Sequence, residues 1–440
     1  MTALAAFAML LCAGDAPAAD TAVLAAKIVP VEGQVIDHGV ILIGGGKILA
    51  LGTQAKLKIP PEAAVIDARD LWAMPGIVEA HTHIGLDGGL NDMVFPINPD
   101  LSVAPCIDLD SPLVKKALEE GVTTVNSMPG SGTNHAGFSV IFKLAAKGPR
   151  EAIVRDPGCL KIAQAFNPER DTGDMGATRM GMAYMLRRLL IEGREYAAAW
   201  REHEEGTRKD PPPVRRDLER VRLVFEGKIP VINHTYSGWG VAEAIRLFHD
   251  EFGLKIIATH VAYGGCQAGE YAAARATRVH IDVGPHLLEL HRTGEGRLAG
   301  IATEFWQRGV RNLSLNTDAF TLFYAMLSPQ QHLFFQASMA AHYGLPEQAA
   351  LRAITIESAR ALGIADRVGS LAPGKDADVV LKRGELLDVT SPVDMVLVGG
   401  AVAFRREGCG VTVTAPEKPE RRDAEEPGED DVPQGKEVRL

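Results

Sequence analysis

The chain has 440 residues, 46% of them hydrophobic and 23% charged, which suits a globular protein of two or three domains. Its formal charge of −10, with 56 acidic against 46 basic side chains, excludes the basic face that nucleic acid requires and favours a small-molecule or short-peptide substrate. The five cysteines, Cys12, Cys106, Cys159, Cys266 and Cys409, are far apart and form no C-x-x-C pair, which excludes a disulfide framework and a thiolate zinc site.

In chain order, residues 1–19 come first. An apolar run is followed by Ala16-Pro17-Ala18, the pattern of an export signal, although no Lys or Arg precedes Lys27 to form a positive start. This reading implies a periplasmic or extracellular protein, and a cytoplasmic one if the segment is not a signal. No other apolar run reaches about 18 residues, so no membrane span is expected. Residues 20–73 read as short strands separated by glycines, a small antiparallel sheet.

From residue 74 the texture changes. Strands are predicted at 76–80, 122–126, 161–165, 230–233, 255–259, 279–283 and 313–316, with helices between them at 111–120, 240–251 and 301–308 among others. Alternation sustained to about residue 365 predicts a parallel sheet closed into a barrel. A helical insertion at 178–208 resumes at 214–225 after Pro211-Pro212-Pro213, and it could serve as a lid, an oligomer contact or packing. Two more helices at 345–362 lead to short strands over 366–413. Residues 414–440 form a charged tail with too little apolar surface to order itself.

The chemistry concentrates at strand ends. Met74-Pro75-Gly76-Ile77-Val78-Glu79-Ala80-His81-Thr82-His83 is an apolar strand ending in His-x-His, and the pleat puts both imidazoles on one side. Two imidazoles at the C-terminal end of a barrel strand can chelate a divalent metal. His234, His260 and Asp318 close later predicted strands on the same barrel face. Each alone has an ordinary structural explanation, but four strand ends in register point to one site.

This constellation resembles the amidohydrolase superfamily over about residues 20–410, and within it the imidazolonepropionase-like hydrolases. The opening 39–52 segment and the closing Gly369-Ser370-Leu371-Ala372-Pro373-Gly374-Lys375-Asp376-Ala377-Asp378 are similar to the family's flanking motifs. The resemblance implies a (β/α)8 TIM-type barrel with a small β-sandwich domain built from both chain ends, residues 20–73 and 366–413. It implies one or two Zn2+ ions, or other divalent transition metals. His81, His83 and Asp318 would bind the first, and His234 and His260 would bind a second or assist the first. Lys161 would bridge two metals as a carboxylated lysine. Asp318 would also act as catalytic base, taking a proton from the metal-activated water and passing it to the leaving nitrogen. The implied reaction is hydrolysis of an amide, cyclic amide or dipeptide bond, in a chain that could be a homo-oligomer.

Some positions depart from the family pattern. Glu79 stands where Asp is usual, and Ala165-Phe166-Asn167-Pro168 stands where relatives carry Gly-Glu-Asn-Pro. Tyr236 and Ala319 stand where relatives can show His. Heterocycle deamination on the same site, or a barrel that binds metal or ligand without turnover, therefore stay open. Gly130-Ser131-Gly132-Thr133-Asn134 reads as a turn shaping the pocket, and Arg179, His135, Tyr263 and His286 as candidate substrate contacts. His332 and His342 read as structural.

Overall fold

A computed structural model describes residues 19–170, 173, 175–290, 296, 298–320 and 332–415. The expected export signal and charged tail lie outside the described residues, apart from Ala19, Thr414 and Ala415, and so does Cys12. The other four cysteines are free thiols.

The chain begins with strands β1 (Thr21–Ile28), β2 (Ile36–Gly44), β3 (Lys47–Thr53) and β4 (Ala64–Pro75). β1, β2 and β3 form an antiparallel meander, but β4 lies parallel to β1, with Thr21 opposite Ala64. This corrects the all-antiparallel expectation. Two hairpins leave the chain at the far end of β3, and the crossover at 54–63 brings it back to the starting end, so β4 must run alongside β1 in the same sense.

The barrel follows. Its strands are β5 (Ile77–Thr82), β6 (Val122–Ser127), β7 (His135–Phe138), β8 (Val140–Lys143), with β9 (Ile153–Arg155) at its edge, then β10 (Leu160–Ala163), β11 (Val231–Thr235), β12 (Ile256–His260) and β13 (Val279–Val283). After the hairpin β14 (Leu288–Leu290) and β15 (Leu298–Gly300) comes β16 (Leu313–Leu315). β5 pairs parallel with β6, and β10, β11, β12, β13 and β16 form a continuous parallel run. Backbone bonds from Asp318 N to His81 O (3.3 Å) and from His83 N to Ala319 O (2.9 Å) join β16 to β5.

The third barrel position differs from an ideal (β/α)8 barrel. It is filled by β7 and β8, which pair antiparallel with β10 and β6 respectively. After β6 the chain turns straight back through 128–134 without a crossover helix, and a strand that returns without a crossover can only pair antiparallel. The barrel strands are buried nearly throughout, and their apolar side chains join the surrounding helices in one large core.

The helical insertion is observed as α1 (Arg179–Glu204), capped by Thr178 Oγ1, and α2 (Arg216–Phe225). Leu186, Leu189, Leu190, Tyr196, Leu218, Val221 and Val224 fall at helical spacing and are buried, so the pair packs into the main core. Gly193 leaves room for Val221, since a Cβ there would lie 2.6 Å from its Cγ1. Helix α3 (Gly238–Ile245) follows β11 and runs into a π-turn at Arg246–Glu251, within the single helix expected at 240–251.

The chain then returns to the first sheet as β17 (Val379–Arg383), β18 (Val393–Val398), β19 (Ala401–Arg405) and β20 (Thr412–Thr414). β17 and β20 both pair with β4, giving one mixed eight-stranded sheet from both chain ends. Val23, Ile41, Ile66, Leu381, Met395 and Leu397 close over its interior. The closing motif joins the two parts: Lys143 of the barrel lies between Asp376 (3.1 Å) and Asp378, and Asp376 also pairs with Lys47. No helix among the described residues is long and apolar enough to cross a membrane.

Candidate metal centre

The His-x-His at the end of β5 meets Asp318, three residues past β16, where those two strands close the barrel. His81 Nε2 and His83 Nε2 each lie 3.4 Å from Asp318 Oδ1, and the three donor atoms fall within 4.8 Å of one another. His234 on β11 and His260 at the end of β12 face the same centre. The ring of His260 is 4.7 Å from that of His81 and 4.5 Å from that of His234. Lys161 on β10 is fully buried, with Nζ 3.2 Å from His81 Nε2.

Neighbouring groups fix the imidazoles. His83 Nδ1 is 2.7 Å from Met128 O, His260 Nδ1 is 2.7 Å from Gly284 O, and His234 Nδ1 is 3.1 Å from Ser131 Oγ. A backbone carbonyl can only accept, so His83 and His260 donate through Nδ1 and turn a bare Nε2 lone pair inward. His234 Nε2 and His260 Nε2 are buried without a hydrogen-bond partner, as is His81 Nδ1. Orphaned imidazole nitrogens facing a carboxylate are a costly arrangement unless a cation satisfies them, and the donor set suits a divalent transition metal.

The electrostatics agree. Burial holds the His81 and His234 imidazoles well below their usual range, and burial brings His260 down to about 4, so all three are neutral at pH 7, the form in which an imidazole can bind a metal. Burial alone would raise the Asp318 carboxyl, but His260, His81 and His83 outweigh it and hold it ionised. Burial lowers Lys161 to about 8 against the pull of Asp318 and Asp282. Glu79, pushed well up by burial, accepts from Thr317 N through Oε1 at 3.1 Å and so ties β5 to the loop carrying Asp318.

Backbone strain gathers here. Of the eight non-glycine residues with positive φ among those described, six follow or end β10, β11, β12 and β16: Phe166, Ser237, His260, Val261, Tyr263 and Asp318. Each costs on the order of 1–3 kcal/mol, and such outliers cluster where side chains must be aimed.

Other sequence candidates fall in different places. Tyr263 and His286 lie in an aromatic cluster with Tyr236 and Phe166, and Tyr236 stacks on His260 at 5.4 Å. Arg179 is engaged with Glu169 (2.8 Å) and is largely exposed. His135 is buried in β7 against Phe138, with its Nδ1 accepting from Gly137 N. His332 pairs with Glu120 just before a helix, and His342 ends that helix. Ser131 lies in the Gly-rich turn read from the sequence as shaping the pocket, but it was not read there as a partner of His234. Its position beside a strand-end histidine exists only in three dimensions.

A barrel with a His-His-Asp centre at the C-terminal ends of its strands defines a metal-dependent hydrolase fold. Residues 218–403 match the family model described as the amidohydrolase family. The chain is 26% identical to amidohydrolase tasK of Hapsidospora irregularis over 79% of its own length but only 38% of that protein's. It is 24% identical to an imidazolonepropionase of Mesorhizobium japonicum, covering 82% of this chain and 89% of that one. Among solved structures, an amidohydrolase from Thermotoga maritima is 28% identical with a TM-score of 0.75, covering 88% of this chain and all of that one. A zinc-bound adenosine deaminase from Xanthomonas campestris, 19% identical with a TM-score of 0.50, shares the fold over 89% of this chain and 94% of its own. The family model spans less than half of the chain; with these likenesses and the His-His-Asp cluster the chain is by class a metal-dependent hydrolase of amidohydrolase type acting on carbon–nitrogen bonds.

Proposed function

We propose that this chain hydrolyses an amide, cyclic amide or dipeptide bond in a small substrate at a zinc centre held by His81, His83, His234, His260 and Asp318. The observation that carries this is the meeting of His81, His83 and Asp318 within 4.8 Å beside two buried, unpartnered imidazole nitrogens. A divalent cation there supplies Lewis acidity, which acidifies water and polarises a carbonyl. Asp318, ionised and about a quarter exposed, accepts the proton of the attacking water and returns it to the departing nitrogen. The buried rings of His81, His234 and His260 limit access of bulk water. Lys161, beside His81, would help hold a second cation as its carbamate, which would form when its amine adds to CO2 and releases a proton.

Metal analysis of the purified protein tests the centre, and release of acid and amine from dipeptides and cyclic amides tests the reaction. Two equivalents of zinc, falling to one in Lys161→Ala and restored by added short carboxylates, support the bridge. No metal after reconstitution at neutral pH refutes the reading. Adenine deaminase of Rhizobium meliloti is 21% identical over 92% of this chain and 60% of its own length. This relative supports a second reading, deamination of a heterocycle, distinguished by ammonia release from purines.

A further inference from the structure

The metal centre accounts for the interior of the barrel mouth but leaves unexplained what stands above it. One aromatic side chain follows each of four consecutive barrel strands: Phe166 after β10, Tyr236 after β11, Tyr263 after β12 and His286 after β13. Their rings form a continuous wall. Phe166 meets Tyr236 edge-on at 5.0 Å and Tyr263 at 5.8 Å, Tyr236 lies 5.5 Å from Tyr263, and His286 is 5.7 Å from Tyr263. The wall starts at the centre itself, because Tyr236 stacks on His260 with ring planes 8° apart and meets His234 edge-on at 5.1 Å.

Its outer rings are open. Phe166 is 56% exposed and Tyr263 is 58% exposed, although both are large and apolar enough to gain from burial. Both are also held at left-handed φ, +55° and +56°, where bulky side chains are disfavoured. Carboxylates anchor them there: Glu169 accepts from Phe166 N at 3.0 Å, and Glu289 accepts from Gly264 N beside Tyr263. The rings pack edge-on against one another, yet strain that leaves more than half of each outer ring exposed points to an external ligand.

We propose that this wall is the specificity surface of the site, and that it takes a neutral, flat aromatic group carried by the substrate next to the scissile C–N bond. Aromatic faces attract aromatic and cationic groups alike. A cation is disfavoured here because the inner end of the wall abuts a donor set built for a divalent metal, with Lys161 beside it. An anionic group gains little at the outer rings, because the nearby Arg179 is already paired with Glu169 (2.8 Å) and Glu289 adds negative charge next to Tyr263. A neutral aromatic group meets neither penalty and gains edge-to-face contact with Phe166 and Tyr263. The inference rests on the hydrolase reading for where the scissile bond lies, but its recognition step can be measured without turnover.

The test is calorimetric titration of the metal-loaded protein with 3-phenylpropanamide, propanamide and a trimethylammonium-bearing amide of the same length. The phenyl amide is expected to bind about tenfold tighter than propanamide, the size of one good aromatic contact plus its buried area. Phe166→Ala and Tyr263→Ala should each erase most of that preference, and Phe166→Tyr should keep it. The phenyl preference should also persist in Asp318→Asn, and a wild-type protein that prefers the phenyl amide yet hydrolyses none of these amides counts against the hydrolase reading alone. Equal affinity for phenyl amide and propanamide, a preference unchanged in both alanine variants, or tightest binding of the cationic amide overturns the proposal.

Discussion

His280→Gln gives a direct test of the buried polar network inside the barrel. His280 on β13 is buried, and its Nε2 lies 2.9 Å from Ser314 Oγ. Ser314 spends its one proton on Asp282 Oδ1, so the imidazole must supply an Nε2–H. Burial pulls this imidazole from 6.5 down to about 3. The folded protein therefore keeps it neutral, while the unfolded chain protonates it below pH 6.5. Stability from this group is complete above 6.5 and is lost as pH falls toward 3. Between pH 7 and pH 5 the loss is about 2 kcal/mol, from 1.5 pH units at 1.36 kcal/mol each. Asp282 acts in the opposite sense: burial raises it to about 6, so its cost is relieved as pH falls from 6 toward 3.8. Asp282 is present in both proteins, so the difference between them isolates His280. Glutamine keeps an N–H for Ser314 without titrating. Urea unfolding at the two pH values should show the variant gaining about 2 kcal/mol on the wild type at pH 5. A gap between the two proteins that does not move with pH refutes the reasoning.

Asp318→Asn keeps the size of the side chain and removes the base, so kcat should fall on the order of 10²–10⁴-fold with a circular dichroism spectrum like the wild type's; a fall of less than tenfold rules out the assigned role. Ser131→Ala frees His234 Nδ1 and should weaken zinc binding by about 10–100-fold, read by competition with a chromophoric chelator. Stripping metal by dialysis against a chelator should lower the thermal midpoint, and zinc at a hundred times its Kd should restore about 2.7 kcal/mol. An unchanged midpoint on both steps rules out a metal bound to the folded state.

The strands that carry the centre were legible because each ends a short apolar run with His or Asp. Predicted limits of 76–80, 230–233 and 255–259 meet observed strands Ile77–Thr82, Val231–Thr235 and Ile256–His260. The third barrel position was missed for a physical reason. β7 and β8 are four residues each and share a buried, glycine-containing run with no helix before it, so neither periodicity nor alternation marks them. Pairing direction was equally hidden, since the parallel contact of β1 with β4 depends on where a loop returns. Phe166 shows a third limit. In the sequence it reads as a missing carboxylate, and only the positions of Tyr236 and Tyr263 show it as part of an aromatic wall.

Gly284 couples the two sides of the centre, and its replacement tests whether they were assembled as described. It follows β13 at φ +139°, and its carbonyl fixes His260 through the 2.7 Å contact to Nδ1. A Cβ on Gly284 would sit 2.0 Å from Asn316 O, two residues before Asp318. That oxygen is already held by Gln336 Nε2 at 2.6 Å, so it cannot simply swing away. Gly284→Ala must therefore displace the backbone that orients His260, the backbone that carries Asp318, or both. Overlap of this kind costs about 1–3 kcal/mol, added to the backbone penalty at positive φ. Gly253 provides the control, because it sits at φ +68° with nothing within 4 Å of its Cβ position. Gly253→Ala should lower the thermal midpoint through backbone strain alone and leave zinc affinity untouched. Gly284→Ala should lower the midpoint further and weaken zinc binding as well. Wild-type zinc affinity in Gly284→Ala would mean that His260 and Asp318 do not share a cation across this contact.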